Sequence, residues 1–201
     1  MAGVSEDAAA LFFFLRLCRA SGILPVGTPV DFYARLAALA IEMKFRLIVD
    51  SSGEPLRYAA TKGTFLLKPN VRELACIAGQ VPASDADVET AARFLVTARG
   101  VGAVVVSTGA AGGLLVEGQH ATRIAAPLVQ IASRIGAGDS LVAGIVVALA
   151  RGGTLEEAVR YGVAAGAAAV MAKGHHLCGY DETERLFGQI CRETLTLAGS
   201  A

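Results

Sequence analysis

Apolar and polar positions fall into two kinds of block along this chain. Arg46 to Val49, Phe65-Leu66-Leu67 and Ala103 to Val106 are short, nearly unbroken apolar runs. Their length and branched side chains predict strands buried on both faces. Between them the apolar positions recur at helical spacing. Phe32, Leu36, Leu39, Ala40 and Met43 predict one helix, with Thr28-Pro29 as its start. Glu54 to Lys62 predicts a short helix ended by Gly63, and Lys68-Pro69-Asn70 leads into another through Glu73 and Leu74. Asp85 to Ala98 is amphipathic, with Val88, Ala91, Ala92 and Leu95 on one face.

The second half continues the alternation. The Ala103 strand ends at Ser107, Gly109 and Gly112-Gly113 make a turn, and Leu114 to Val116 returns as a hairpin strand. A further extended segment leads through Ile131. Ser140 to Arg151 predicts a helix stopped by Gly152-Gly153. Thr154 with Glu157 three residues on is a capping box for the next helix, and Asp181 caps a last one running toward Leu195. At the front, Leu11 to Leu17 fits either a buried strand or the end of a helix starting near Ser5, and Ser21-Gly22 breaks the pattern.

Strands alternating with helices predict an α/β fold: a layered, mostly parallel sheet with helices on both faces. No repeat or linker interrupts it, so a single domain is expected. Ligands in such folds bind at the carboxyl ends of strands. Asp50, Lys68, Asn70 and Ser107 all stand at such ends.

Composition narrows the function classes. Of 201 residues, 54% are hydrophobic and 18 basic residues balance 18 acidic ones, so no strong field favours nucleic acid or anionic lipid. Much of the apolar excess is Ala, Gly and Val, which suits close-packed helices better than a membrane span. The apolar run from Ala8 to Leu15 is too short to span, and Glu6 and Asp7 stand where a signal peptide needs basic residues. Cys18, Cys76, Cys178 and Cys191 form no C-x-x-C pair and read as reduced thiols of a cytoplasmic protein. Cys178 lies near His175 and His176, but that spacing fits no structural zinc pattern.

Four patterns carry chemistry. Gly136-Ala137-Gly138-Asp139 opens a helix with small residues and puts a carboxylate in its first turn. Backbone N–H groups at a helix start make an anion site, and a carboxylate beside it can take a proton from an attacking hydroxyl. Asn70 and Glu73, three residues apart, are an oxygen pair suited to Mg²⁺ held through water. Ser107-x-Gly109-x-x-Gly112 leaves a strand into a turn where backbone can approach a ligand. The Ala- and Gly-rich stretch from Gly162 to Gly174 leaves a shallow surface for a flat base. Each has a bland counterpart: a helix cap, a capped and solvated helix end, a hairpin, close packing. Their joint occurrence, in this order and at strand ends, is far more specific than any one.

Taken with Ser21-Gly22-Ile23-Leu24-Pro25, Val49 to Glu54, Lys68-Pro69-Asn70, Tyr161 to Gly166 and Leu177-Cys178, these motifs resemble the ribokinase-like (PfkB-type) sugar kinases, in their phosphofructokinase branch, from about Ser21 onward. The resemblance implies ATP and Mg²⁺ as cofactors and a sugar phosphate as substrate. It implies Asp139 as the general base and the amides of Gly136, Ala137 and Gly138 as the anion hole. A negative charge in a first helical turn is favoured by the helix dipole. Asn70 and Glu73 would organise Mg²⁺, with Asn70 also facing the nucleotide. Ser107, Gly109 and Gly112 would contact the nucleotide, and Val163 and Ala167 would wall the adenine. Ser21 and Gly22 would face the sugar. Ser133, Ile135, Ala169 and Gly174 fall where this branch binds a monovalent cation such as K⁺.

The departures are also specific. The resemblance implies that the front of the family domain and its β lid are missing, with residues 1–20 a divergent leader and residues 21–201 the nucleotide-binding and catalytic portion. That loss is expected to expose a sheet edge and promote self-association, while the homodimer contact through the lid would be absent. Ile23 replaces a serine expected to touch the sugar phosphate. Arg134 replaces a small hydroxyl residue before the anion hole, and Ala172 and His176 replace an asparagine and an arginine. Two readings remain open: a 6-phosphofructokinase-type enzyme, with tagatose 6-phosphate or fructose 1-phosphate as other substrates, or an inactive nucleotide-binding derivative.

Overall fold

The computed structural model describes residues 16–172 and 178–198, with side chains as far as residue 191. Along the chain come β1 (Leu17–Ser21), α1 (Phe32–Met43), β2 (Arg46–Asp50), α2 (Gly53–Ala59) and β3 (Thr64–Leu67). Then follow α3 (Val71–Ala78), α4 (Asp85–Thr97), β4 (Ala103–Ser107), β5 (Gly113–Glu117) and β6 (His120–Ile124). Three helices close the sequence: α5 (Ala137–Ala150), α6 (Leu155–Met171) and α7 (Tyr180–Ala198).

The strands form a six-stranded sheet in the order β1-β2-β3-β4-β5-β6. β1 pairs with β2, β2 with β3 and β3 with β4, all parallel. The links β4–β5 and β5–β6 are too short for a parallel crossover, so these pairs are antiparallel. Leu47, Ile48 and Val49 are all fully buried, as are Val104, Val105 and Val106. Burial of successive residues requires cover on both faces of a strand, as the unbroken apolar runs predict.

Packing gathers into two compact units. One comprises Met1–Val104 with Val116–His120, and the other Val105–Leu115 with Ala121–Ala201. In the first, the parallel strands β1 to β3 are joined through α1 and α2, and α3 and α4 lead on toward β4. In the second, α5 and α6 approach so closely that side chains at their contact would collide. A Cβ on Gly144 would lie 2.9 Å from the Gly162 Cα, and one on Gly162 would lie 2.6 Å from the Leu141 carbonyl oxygen.

Three helices start on capping boxes, each satisfying orphan N–H groups reciprocally: Asn70 with Glu73, Ser84 with Asp87, and Thr154 with Glu157. At the last, the Thr154 backbone N–H and hydroxyl hold the Glu157 carboxyl below its usual range.

Several helix bounds differ from the sequence reading. α1 begins at Phe32 rather than at Thr28-Pro29, because those residues are used in turns: the Thr28 N–H donates to the Pro25 carbonyl and the Phe32 N–H to Pro29. α2 stops at Ala59 because the buried Thr64 hydroxyl takes the Ala59 carbonyl, 2.7 Å away. α5 starts at Ala137, before Ser140, since the Ser140 N–H already closes the first turn onto the Gly136 carbonyl at 2.8 Å. α7 starts at Tyr180, with the Gly179 carbonyl accepting from the N–H and the hydroxyl of Thr183, so Asp181 lies inside the first turn. The ambiguous stretch before Ser21 resolves in part: Leu17–Ser21 is strand, and residues 1–15 lie outside the described residues.

Candidate active site

The second unit holds a cavity of about 390 Å³, within the size range of ligand pockets. Three parts of the chain build it. β4 delivers Ser107 to its end, and a tight turn follows in which the Thr108 N–H donates to Gly112 and the Gly112 N–H to Gly109. This turn brings Ser107, Gly109, Ala110 and Gly112 to the cavity wall. α6 contributes Val163, Gly166, Ala167 and Val170, spaced three, four and seven residues on, which is one stripe of a helix. α5 contributes Ala137, Gly138 and Leu141 from its first turns.

The cavity therefore unites Ala137, Gly138, Ser107, Gly109, Gly112, Val163 and Ala167, seven residues singled out in the sequence. Gly136 is the N-cap of α5, and Asp139 is in the first turn and exposed. The pattern of small residues followed by a carboxylate is thus a helix start opening onto a cavity. Ala110, Ala126 and Leu141 escaped the sequence reading, while Gly166 and Val170 fall inside the Gly162 to Gly174 stretch that it took as a surface for a flat base. Arg134 was noted there only as a departure; it lines the cavity too.

The loop before α5 is tied to the end of α6. The N–H groups of Ala132 and Ser133 donate to the Val170 carbonyl at 2.8 and 3.1 Å, and the Ser133 hydroxyl accepts from the Ile135 N–H at 3.2 Å. Ser133, Ile135 and Ala169 accordingly belong to one loop–helix junction. Ile135 is exposed, and the Ala169 carbonyl already accepts from Ala172. Gly174, His175, His176 and Leu177 lie outside the described residues.

The first unit gathers a different polar cluster at the strand ends. Ser21 pairs in register with Asp50, and the Gly22 N–H donates to the Asp50 carbonyl at 3.0 Å. The Gly22 carbonyl accepts from the Ser51 hydroxyl at 2.8 Å and the Tyr33 hydroxyl at 3.0 Å. Gly22 is therefore the knot that ties β1, β2 and α1, and both its backbone polar groups are engaged within this unit. Lys68, at the end of β3, pairs with Asp50 at 3.1 Å, and the side chains retain only 7% and 17% of their exposure. Removing one member of so buried a pair strands the other charge. Lys68→Met is expected to lower stability by about 3 kcal/mol, measured by urea unfolding; an unchanged midpoint would show that Asp50 is well solvated without its partner.

Asn70 stands at the N-cap of α3, just before the helix. Its side chain accepts from the Glu73 N–H at 2.9 Å, while Glu73 Oε2 accepts from the Asn70 N–H at 2.8 Å. Their three-residue spacing thus serves helix capping directly.

Comparison with known proteins settles the lineage. The description pfkB family carbohydrate kinase matches residues 4–181. The chain belongs to the pfkB carbohydrate kinase family. The match begins ahead of Ser21, so most of the stretch read as a divergent leader falls inside it. Among pfkB relatives, ATP-dependent 6-phosphofructokinase isozyme 2 of Escherichia coli is 38% identical over 173 residues, covering 86% of this chain and 56% of the relative. The 1-phosphofructokinase of Rhodobacter capsulatus is 41% identical over 156 residues, covering 78% and 49%. The crystal structure of phosphofructokinase-2 from Escherichia coli in complex with potassium superposes with a TM-score of 0.82 at 36% identity, over 87% of this chain and 57% of that one. The chain thus spans about half the length of these pfkB relatives, and its fold is ribokinase-like. No helix among the described residues is long and apolar enough to cross a membrane, and none of the four cysteines forms a disulfide. Among the described residues no group of three His, Cys, Asp or Glu side chains gathers as for a metal ion.

Proposed function

We propose that this chain carries the nucleotide-binding and phosphoryl-transfer portion of a cytoplasmic ATP-dependent sugar-phosphate kinase of the 6-phosphofructokinase type. The observation that carries the reading is the single cavity in which the start of α5, the Ser107–Gly112 turn and the small-residue stripe of α6 meet. Val163, Ala167 and Val170 give an apolar wall suited to adenine. The turn at Gly109 and Gly112 lets backbone approach the nucleotide. The N–H groups of Ala137 and Gly138 face the moving phosphoryl group, because the first amides of a helix lack partners within it.

Asp139 accepts the proton of the sugar hydroxyl as its oxygen bonds to the γ-phosphorus, and the bond from that phosphorus to the ADP oxygen breaks. Catalysis of this kind rests on positioning and charge stabilisation more than on a strong base.

Two ion sites follow from the family resemblance. Asn70 and Glu73 offer hard oxygen ligands suited to Mg²⁺; since Glu73 Oε2 and the Asn70 side-chain carbonyl cap the helix, Glu73 Oε1 would reach the ion, through water. When bound, Mg²⁺ supplies a hard divalent charge that takes phosphate oxygens as ligands. The family resemblance assigns carbonyls of Ser133, Ile135, Ala169 and Gly174 to a monovalent cation such as K⁺, and the bonds of Ala132 and Ser133 to Val170 support it by bringing the first two to the end of α6. Ser21 is the sugar-facing candidate of the first unit, because Gly22 is occupied with the protein.

A second reading, nucleotide binding without transfer, draws on Ile23. It stands where the family resemblance expects a serine on the sugar phosphate, and it is 88% exposed with no hydroxyl to offer. Release of ADP, coupled to NADH oxidation, over fructose 6-phosphate, fructose 1-phosphate and tagatose 6-phosphate separates the two. Turnover with fructose 6-phosphate is expected. ATP binding with no turnover on any of the three would establish the second reading instead.

A further inference from the structure

Among the described residues, Arg134 is the one charged side chain in the lining of the nucleotide cavity. The rest of the wall is glycine, alanine, aliphatic side chains and the Ser107 hydroxyl. Arg134 enters from the chain just ahead of α5 and lines the cavity with Ala137 and Gly138, at the end of that helix where negative charge is favoured. The loop that bears it is held in place by the bonds of Ala132 and Ser133 to Val170, so the residue is anchored on both sides, by α6 and by α5. Arg134 is exposed as well as lining the cavity.

We infer that Arg134 is a phosphate clamp, a specificity-determining residue that makes this cavity prefer a nucleoside polyphosphate over the nucleoside. The inference rests on the cavity being a nucleotide site, as proposed above. A guanidinium stays protonated at any working pH and presents a planar fork of donors that matches two phosphate oxygens. Backbone amides at a helix start supply partial charge only. A full charge beside them raises affinity for the anionic end of the ligand and leaves the base-binding wall of Val163, Ala167 and Val170 untouched. Because the side chain is exposed, its effect is screened by salt.

Calorimetric titration of the protein with adenosine, AMP, ADP and ATP tests this, using wild type, Arg134→Gln and Arg134→Lys. Arg134→Gln is expected to weaken ATP binding about tenfold, which is about 1.4 kcal/mol, while adenosine changes less than about twofold. Arg134→Lys should recover part of the loss, because it restores the charge without the fork. The dependence of ATP affinity on salt should flatten in Arg134→Gln. Wild type binding ATP no more tightly than adenosine, or parallel losses for both ligands in Arg134→Gln, overturns the clamp and leaves the nucleotide cavity standing. Wild type that binds none of the four overturns the cavity reading and the clamp together.

Discussion

Asp139→Asn is expected to lower sugar-phosphate phosphorylation about a thousandfold while ATP affinity stays within about twofold. On the proposed function the two readouts separate, because the proposed base Asp139 and the proposed nucleotide wall are different parts of the chain. Asp139 sits in the first turn of α5 and is exposed, whereas the cavity is lined by its neighbours Ala137 and Gly138. Asparagine has nearly the same shape but accepts no proton at neutral pH. Loss at kcat with little change in the ATP Kd, from steady-state kinetics and calorimetry, is the signature of a missing base. Equal losses in both would mean that Asp139 holds the helix start in place. Full retained turnover would place the base elsewhere.

The largest effect on stability is expected at Gly112. Its φ is +102°, in the region that side chains avoid, and a Cβ there would lie 2.0 Å from the Ile124 carbonyl oxygen and 2.6 Å from the Ala126 N. Both obstacles are backbone, so neither can swing away. Gly112→Ala is expected to cost about 4 kcal/mol, from backbone strain and overpacking together, and to lower Tm by roughly 10 °C. Gly109 provides the control. Its φ is +66°, but no heavy atom lies within 4 Å of an added Cβ, so Gly109→Ala carries strain alone and should cost about 1 kcal/mol. Equal costs at the two positions, by thermal melting, would show that the segment after β6 yields to the new methyl group.

Legibility in the sequence followed the range of the interaction. The Thr154–Glu157 capping box is readable because all its partners lie within three residues. The buried strands β2 and β4 are readable because cover on both faces leaves no polar position to interrupt the run. The start of α1 is not, since Thr28-Pro29 is a plausible cap until the turns onto Pro25 and Pro29 take up its backbone. The Asn70–Glu73 pair shows a third case. Its spacing is equally compatible with a metal pair and a helix cap, and the hydrogen bonds display the cap.

The buried strands β2, β3 and β4, the helix start signal at Gly136 to Asp139 and membership of the pfkB family were determined by the sequence itself, because periodicity, capping and motif spacing are written in neighbouring residues. In the sequence β1 is ambiguous, and β6, at His120–Ile124, is missed in favour of an extended segment through Ile131. Only the tertiary structure decided that Ser107, Gly109, Gly112, Val163 and Ala167 share one cavity with Ala137 and Gly138, and that Arg134 joins them. It likewise decided that Lys68 closes on Asp50. These residues lie far apart in the chain, and their meeting depends on parallel pairing in the sheet and on the glycine-mediated approach of α5 to α6 at Gly144 and Gly162. Such contacts form through side-chain packing between distant segments, which local spacing does not encode.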